Sequence, residues 1–181
     1  MPKLEHTSVP LWAATGGRVA EPDHSGSSYL LVGVGADGRQ AVATWVADLP
    51  GHIVGQVLGD DADSVRTELA VALTDARVGV RVRIAGPVSS CLTLRGVAVS
   101  VGAEDDELHL APTQRDAVEV WCVHCNATSL ADVAIGDVLP CGGCDRSLLV
   151  YHHVSRRTGQ FLGFQVDAET RAGKMTEEIA S

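Results

Sequence analysis

The chain contains few lysines, few aromatic residues and no long apolar run. Lys3 and Lys174 are its only lysines, and 23 acidic against 14 basic residues give a formal net charge of −9. Because an acidic chain without a basic stripe repels phosphate groups, we expect no nucleic-acid partner. No apolar run approaches the ~20 residues that cross a bilayer, so we expect no membrane partner either.

The remaining composition favours a cytoplasmic α/β protein. The N-terminal sequence MPKLEHTSVP lacks the charged-then-apolar order of a secretory signal, which predicts a reducing, cytoplasmic location. Because aromatic residues make up only 4% of the chain, the core must be built from Val, Leu, Ala and Ile, as in sheets covered by helices. The acidity suits docking onto a basic protein surface, but we favour solubility as its simpler explanation.

The order of apolar patterns predicts four regions. Residues 1–27 are rich in proline and glycine and read as an N-terminal arm, in which the apolar piece Val9–Ala14 could pack on this chain or on a partner. Residues 28–112 alternate strand and helix patterns as β-α-β-α-β-α-β, which predicts a small doubly wound parallel sheet, a Rossmann-like α/β domain. The predicted strands are 29–34, 52–58, 80–84 and 107–110. A β zinc ribbon at 119–168, with strands at 147–153 and 160–168, and a charged tail at 169–181 complete the chain.

Four cysteines form the strongest motif. Cys122, Cys125, Cys141 and Cys144 follow the spacing C-x2-C-x15-C-x2-C, which is typical of two turns converging on one tetrahedral metal ion. Such turns need small or left-handed residues, and Gly142, Gly143, Asn126 and Asp145 lie at the expected places. Four thiolates leave the ion no open position, so we expect a structural rather than a catalytic site.

The identity of the metal has two candidates. Zinc and a single rubredoxin-like iron both accept four thiolates, and we favour zinc because few aromatic residues flank the cysteines. Neither C-x-x-C is followed by His, which excludes a covalent c-type haem, and two such pairs argue against a redox dithiol. His124 reads as a solvated turn residue, His152 and His153 as strand-end packing residues, and the fifth cysteine, Cys91, as a core residue.

A glycine-rich turn is the second motif. Gly33, Gly35 and Gly38 match G-x-G-x-x-G between a predicted strand and a predicted helix, the setting in which backbone amides bind a pyrophosphate. Asp60 or Asp61 lies about where a ribose-binding acid would sit. Glycines of this kind also arise for packing alone, which we favour over NADPH binding by this chain. Arg81 and Arg83 could hold a phosphate, but solvated strand arginines are the interpretation that we favour.

The C-terminal third resembles the small-subunit family of bacterial dimethylamine monooxygenase. The residues that carry the resemblance are Trp121-Cys122-Val123-His124-Cys125, Pro140-Cys141-Gly142-Gly143-Cys144, His153-Val154-Ser155-Arg156-Arg157 and the phrase from Leu162 to Glu169. The resemblance implies one subunit of a multi-component oxygenase that uses NADPH and O2 to convert dimethylamine to methylamine and formaldehyde. It also implies partner subunits that hold haem and a flavin (FMN) and iron–sulfur reductase.

Residues 28–112 show a looser resemblance to a shortened nicotinamide-binding lobe of the ferredoxin reductase family. Tyr29–Gly35 corresponds to its strand and glycine-rich turn, and Ile84-Ala85-Gly86-Pro87 to its Cys-Gly-Pro turn with alanine in place of cysteine. The Thr-Pro that follows the turn in that family is replaced here by Gly38-Arg39. An accessory subunit is therefore our main hypothesis. The alternatives are a nucleotide-binding subunit for electron transfer and an unrelated zinc-ribbon interaction protein.

Overall fold

The computed structural model describes residues 6–15, 23–49 and 55–167. The first part of the predicted strand 52–58 and the predicted tail 169–181 lie outside the described residues. The helices are α1 (Leu11–Thr15), α2 (Gly35–Asp48), α3 (Ala62–Thr74) and α4 (Val88–Ser100). The strands are β1 (Ser28–Val34), β2 (Gln56–Gly59), β3 (Val80–Gly86), β4 (Leu108–Pro112), β5 (Val118–Cys122), β6 (Thr128–Ala131), β7 (Val138–Pro140), β8 (Ser147–Val154) and β9 (Phe161–Gln165).

The first sheet is parallel, with the strand order β2-β1-β3-β4. Side chains alternate across it: Leu30 and Val32 pack in one core cluster with residues of α3 and α4, whereas Leu31 packs in another with Val42 and Trp45 of α2. Helices therefore cover both faces, which confirms the predicted doubly wound α/β fold. β1, which lies between β2 and β3, is apolar on both sides because helices cover both of its faces.

Local sequence signals explain where the covering helices begin. Asp61 caps α3 by accepting a hydrogen bond from the Ser64 amide, and the Ser64 hydroxyl lies within reach of the Asp61 backbone amide, which completes a capping box. Pro87 immediately precedes α4, and eight of that helix's residues are buried. A helix buried on most sides belongs inside the molecule, and α4 lies between the two sheets' cores.

The second sheet has the strand order β6-β5-β9-β8-β7, antiparallel except for the parallel pair β5–β9. Val118, Val120 and Cys122 of β5 are buried on one face, and Glu119 and Trp121 point to the other. This period of two places one apolar face of the sheet against a core cluster that includes Val88 and Leu92 of α4. A C-terminal β ribbon follows the parallel sheet, as predicted.

The turn between β8 and β9 fits closely against α4. A Cβ on Gly96 would lie 2.5 Å from the carbonyl oxygen of Arg157, and one on Gly159, at φ 74°, would lie 2.6 Å from the Leu92 backbone. The Asp105 carboxylate forms two ion pairs at 2.7 Å, one with the guanidinium of Arg95 in α4 and one with that of Arg156 in the turn. These contacts join the ribbon to the α/β part of the molecule.

The apolar piece of the predicted arm packs on this chain. Val9 and Ala13 are buried in the same core cluster as the ribbon residues Leu148 and Phe161. The Ser8 hydroxyl accepts a hydrogen bond from the Val154 amide at 3.0 Å. The sequence left open whether the Val9–Ala14 piece packs on this chain or on a partner, and the structure shows that it packs on the ribbon of this chain.

The prediction that Arg83 is a solvated arginine is wrong. Its side chain is only 1% exposed, and its guanidinium lies 5.1 Å from the Tyr29 ring centroid and 6.0 Å from that of Trp45. Because α2 covers the strand face that carries this arginine, the alternation of Val and Arg along β3 does not mark a solvent-facing side. Burial lowers the pKa of the Arg83 guanidinium below its usual value. Arg81, in contrast, is half-buried and bonds Asp23 at 2.6 Å.

None of the helices within the described ranges combines the length and the apolar character needed to traverse a bilayer.

Candidate metal centre

The structure brings the four motif cysteines together at one end of the ribbon. The sulfur atoms of Cys122, Cys125, Cys141 and Cys144 all lie within 4.8 Å of one another. The Cys125 and Cys141 sulfurs are 3.5 Å apart, and those of Cys122 and Cys144 are 3.9 Å apart. Within the described ranges, this is the one group of His, Cys, Asp or Glu residues that converges in this way.

The two cysteine pairs lie in turns of the same construction. In the first turn the Asn126 amide donates to the Cys122 carbonyl at 2.9 Å, and in the second the Asp145 amide donates to the Cys141 carbonyl at 3.0 Å. Asn126 has φ 62° and Asp145 has φ 56°, the left-handed region that these residue types tolerate best. The left-handed residue after each pair folds the chain back, so that both thiols of the pair point to one side.

Backbone closing bonds complete each turn. The Cys122 amide donates to the Ala127 carbonyl and the Cys141 amide to the Arg146 carbonyl, both at 2.9 Å. The amides of Ala127 and Arg146 in turn bond the sulfurs of Cys125 and Cys144. Ala127 contributes through the main chain, so no side-chain pattern in the sequence could have identified it, whereas the Arg146 side chain also lowers the pKa of the Cys144 thiol.

Gly143 sets the spacing between the two turns. A Cβ at this position would lie 2.6 Å from the Ala127 Cβ and 3.0 Å from the Cys125 sulfur, so any larger residue would push the turns apart. At Gly142 the nearest atom to such a Cβ is the Ser129 hydroxyl at 3.7 Å, an ordinary contact. The Gly142 amide donates to that same hydroxyl at 3.2 Å. Of the two glycines, only Gly143 is required by the close approach of the turns.

The electrostatics of the cluster favour a cation among the sulfurs. The pKa of the Cys144 thiol is lowered to about 6, chiefly by the Arg146 amide. The Ala127 amide lowers the pKa of the Cys125 thiol, but desolvation and hydrogen bonds with the three neighbouring thiols outweigh it and raise the pKa to about 12. Thiolates at this separation repel one another, so the cluster cannot ionise fully without a positive ion among them.

The geometry fits a tetrahedral metal ion. Four sulfurs at ~2.3 Å from a central ion lie ~3.8 Å from one another, which agrees with the two measured pairs. A divalent zinc ion would be held by Cys122, Cys125, Cys141 and Cys144, and all four tetrahedral positions would be filled by protein. Such an ion supplies folding free energy and leaves no place for a substrate or water.

The other predicted sulfur and imidazole positions lie outside this cluster. Cys91 is fully buried in the core of the parallel sheet, and burial raises the pKa of its thiol to about 12, as suits a packing residue. His124 is exposed within the first turn. His152 packs against the Tyr151 ring, and the His153 ring nitrogen lies 2.9 Å from the Ser8 hydroxyl.

Two of the three glycines in the glycine-rich turn, Gly33 and Gly38, are closely packed. A Cβ on Gly33 would lie 2.8 Å from the Gly38 carbonyl oxygen, and one on Gly38 would lie 2.6 Å from that of Ala85. Gly35 has φ 72°, and a Cβ there would meet nothing within 4 Å. The turn therefore brings α2 close to β1 and β3, whereas the space beside its middle glycine, Gly35, is empty. Asp60, one of the two residues predicted as a ribose acid, bonds the Arg39 guanidinium at 2.5 Å.

Comparison with known proteins identifies a family and a relative. Residues 119–164 match the family described as dimethylamine monooxygenase subunit DmmA-like, C-terminal domain. The chain is also similar to the heme-dependent oxidative N-demethylase delta subunit of Ectopseudomonas mendocina (strain ymp), with 32% identity over 147 residues. That alignment covers 79% of this chain and 82% of the relative. No solved structure is significantly similar to the chain.

Proposed function

Because the chain belongs to the DmmA-like family of dimethylamine monooxygenase subunits, we propose that it is an accessory subunit of a haem-dependent oxidative N-demethylase. The observation that carries this proposal is the alignment to the delta subunit, which covers 79% of this chain and so extends well beyond the residues 119–164 that match the family model. Family membership also removes the alternative of an unrelated zinc-ribbon protein.

The reaction that we assign to the whole complex is the oxidative demethylation of dimethylamine. O2, NADPH and a proton would convert the amine to methylamine, formaldehyde, water and NADP+. We place the haem and the flavin (FMN) and iron–sulfur reductase on partner subunits in the cytoplasm. The relative's name supports haem dependence, and the family description supports dimethylamine as the substrate.

We assign zinc to the four-cysteine cluster and an assembly role to the ribbon that it stabilises. A closed four-thiolate site is suited to holding a fold together rather than to chemistry. The ribbon's own core is small, and its sheet shares a cluster with α4 and with Val9 and Ala13. Zinc would therefore fix both the ribbon and the position of these two segments.

Co-purification tests the accessory role. The tagged chain is co-expressed with the other subunits of its N-demethylase, and the eluate is resolved by size-exclusion chromatography with mass detection. We expect this chain to elute in a complex of defined stoichiometry together with the haem-containing subunit. Elution of this chain as a monomer, beside a fully assembled and active oxygenase that lacks it, would refute the proposal.

A nucleotide-binding electron-transfer role is the second candidate, and Gly35 is the observation that favours it. This glycine has a positive φ, its surroundings are open, and it starts a helix whose N-cap, Val34, makes no side-chain capping bond. Calorimetric titration of the purified chain with NADPH, with Gly35→Glu as the control variant, tests it. Binding heat from the parent chain but not from Gly35→Glu would support this role. No binding heat from the parent chain at millimolar NADPH would rule it out.

A further inference from the structure

The second sheet has one face that the described chain leaves without a core. Its other face packs with α4 and the Val9 segment, through Val118, Val120 and Phe161 among others. By the period of two along each strand, the opposite side chains share what we call the outer face. The aliphatic side chains on the outer face are Leu130, Val138, Leu149 and Leu162.

Three aromatic side chains join them. Trp121 pairs with Leu162 across β5 and β9, Phe164 pairs with Leu149 across β9 and β8, and the Tyr151 ring meets that of Phe164 edge-on at 5.2 Å. The whole chain has only three Trp, two Tyr and two Phe, so a large share of its aromatic residues lies on this one face. Aromatic residues are enriched at the centres of protein interfaces.

The outer face is apolar and exposed at the same time. Leu130 is 69% exposed and Val138 is 51% exposed, and Trp121, Leu149, Tyr151, Leu162 and Phe164 are all half-buried. None of these seven side chains belongs to any of the three core clusters formed by the described residues. A contiguous apolar patch of this kind, spread over all five strands of the sheet, marks an interaction surface.

The charge around this face indicates what kind of protein covers it. Residues 119–146 carry four exposed carboxylates, those of Glu119, Asp132, Asp137 and Asp145, against the single Arg146. One of them, Glu119, lies on the outer face itself, in register with Leu130. A divalent ion held by four thiolates adds a net charge of about −2 at the end of the same sheet. A partner with a basic rim is attracted to this surface, and a second copy of this acidic chain is repelled.

We infer that the outer face is the surface by which this chain docks onto another subunit of the N-demethylase, one that presents an apolar pocket rimmed by Lys and Arg. This inference rests on the proposed function and specifies it further. The aromatic trio of Trp121, Tyr151 and Phe164 forms the centre of the contact, where water is excluded. Leu130 and Val138, on the two edge strands, lie toward its periphery.

Paired lysine substitutions test the inference. Leu130→Lys with Val138→Lys places two positive charges on the outer face at positions that are more than half exposed, where they leave the fold intact. The matched control is Val71→Lys with Val78→Lys, which makes the same kind of change at residues 56% and 100% exposed outside this sheet. Affinity for the purified remaining subunits of the complex is measured by calorimetry at two salt concentrations, and each variant's Tm is recorded.

We expect the outer-face variant to bind at least about tenfold more weakly than the control variant, with unchanged Tm, because two apolar contacts are lost and two positive charges face the partner's basic rim. Hydrogen exchange of the unsubstituted chain should show amides of β5, β8 and β9 slowed by the partner. Equal affinity of the two variants, or no added protection of the sheet in the complex, would overturn the docking surface. If the unsubstituted chain itself binds none of the subunits, the accessory role fails instead. A self-associating chain that the outer-face lysines make monomeric would show that a second copy is the occupant.

Discussion

At the scale of single residues, the candidate metal centre depends on main-chain atoms as much as on thiols. Each cysteine pair is followed by a left-handed residue, Asn126 or Asp145, and is closed by bonds from the backbone of the next residues. The amides of Ala127 and Arg146 point at sulfur and stabilise negative charge there. A correct set of four cysteines is thus not sufficient, because the turns that aim them must also form.

Gly143→Ala tests this dependence on the turns. The added methyl would lie 2.6 Å from the Ala127 Cβ, so the two turns must separate and the tetrahedron must open. We expect zinc affinity, measured by competition with a chromophoric chelator, to fall at least about tenfold, the equivalent of ~1.4 kcal/mol. Gly142→Ala is the matched control, because a methyl there has only an ordinary contact, and its affinity should stay within about threefold of the parent chain. Equal affinities would show that the approach of the turns is unimportant.

The cysteines and the left-handed positions could be predicted from the sequence because spacing and residue type determine them locally. Arg83 could not. Val82 and Ile84 alternate with arginines along β3, a pattern typical of a strand with one solvated face, and only tertiary structure shows that α2 covers the arginine face. The rings that flank its guanidinium come from Tyr29 and Trp45, on two other elements. Contacts between separate elements leave no local signal of this kind.

At the scale of elements, α4 is the part of the α/β fold that meets the ribbon. Its Cys91 and Leu94 pack against the parallel sheet, and its Val88 and Leu92 pack against the second sheet. Gly96 lies within this helix, although glycine is a poor helix former. The structure gives the reason for the glycine: the turn after β8 lies directly against it.

Gly96→Ala is therefore expected to destabilise the protein, contrary to helix propensity. Propensity alone predicts a gain of up to ~1 kcal/mol for alanine over glycine in a helix. Here the new methyl would lie 2.5 Å from the Arg157 carbonyl oxygen, and overpacking of this kind costs ~1–3 kcal/mol. Urea denaturation of the parent chain and of Gly96→Ala measures whether the free energy of unfolding falls or rises. A more stable variant would mean that the turn does not contact α4 in solution.

The element order of the parallel sheet could be predicted from the sequence, and the contact between sheet and ribbon could not. Strand and helix patterns alternate clearly from Ser28 onward, and the structure has the same seven elements. The contact with the ribbon depends on Gly96 and Gly159, residues far apart in the chain, whose roles become visible only when both are placed in space. The division into domains at 28–112 and 119–168 stays a prediction.

At the scale of the whole molecule, three separate clusters of described residues make up the core. Two of them belong to the parallel sheet and its helices, and the third joins the ribbon with α4 and the Val9 segment. The four-cysteine centre lies in the third cluster, since Cys122 and Cys141 are among its buried members. Metal binding at this centre would thereby be coupled to the folding of one part of the molecule.

Metal removal should therefore unfold the ribbon before the parallel sheet. After chelation, or in Cys141→Ser, we expect amides of β5–β9 to lose their protection from hydrogen exchange, because the third cluster depends on the closed thiolate site. Amides of β1 and β3 should remain protected, since their clusters contain no ribbon residue. Retention of protection throughout the ribbon of the metal-free chain would contradict this. Metal analysis of the parent chain before chelation distinguishes zinc from red, iron-loaded protein.

We propose that this chain is a zinc-stabilised accessory subunit of an oxidative N-demethylase. The most direct measurement is NADPH- and O2-dependent formaldehyde release from dimethylamine by the reconstituted subunits, with this chain present, absent or replaced by Gly143→Ala. We predict that turnover depends on the chain, and that the variant restores it only in proportion to the zinc it retains. Full turnover in the absence of the chain would contradict the account.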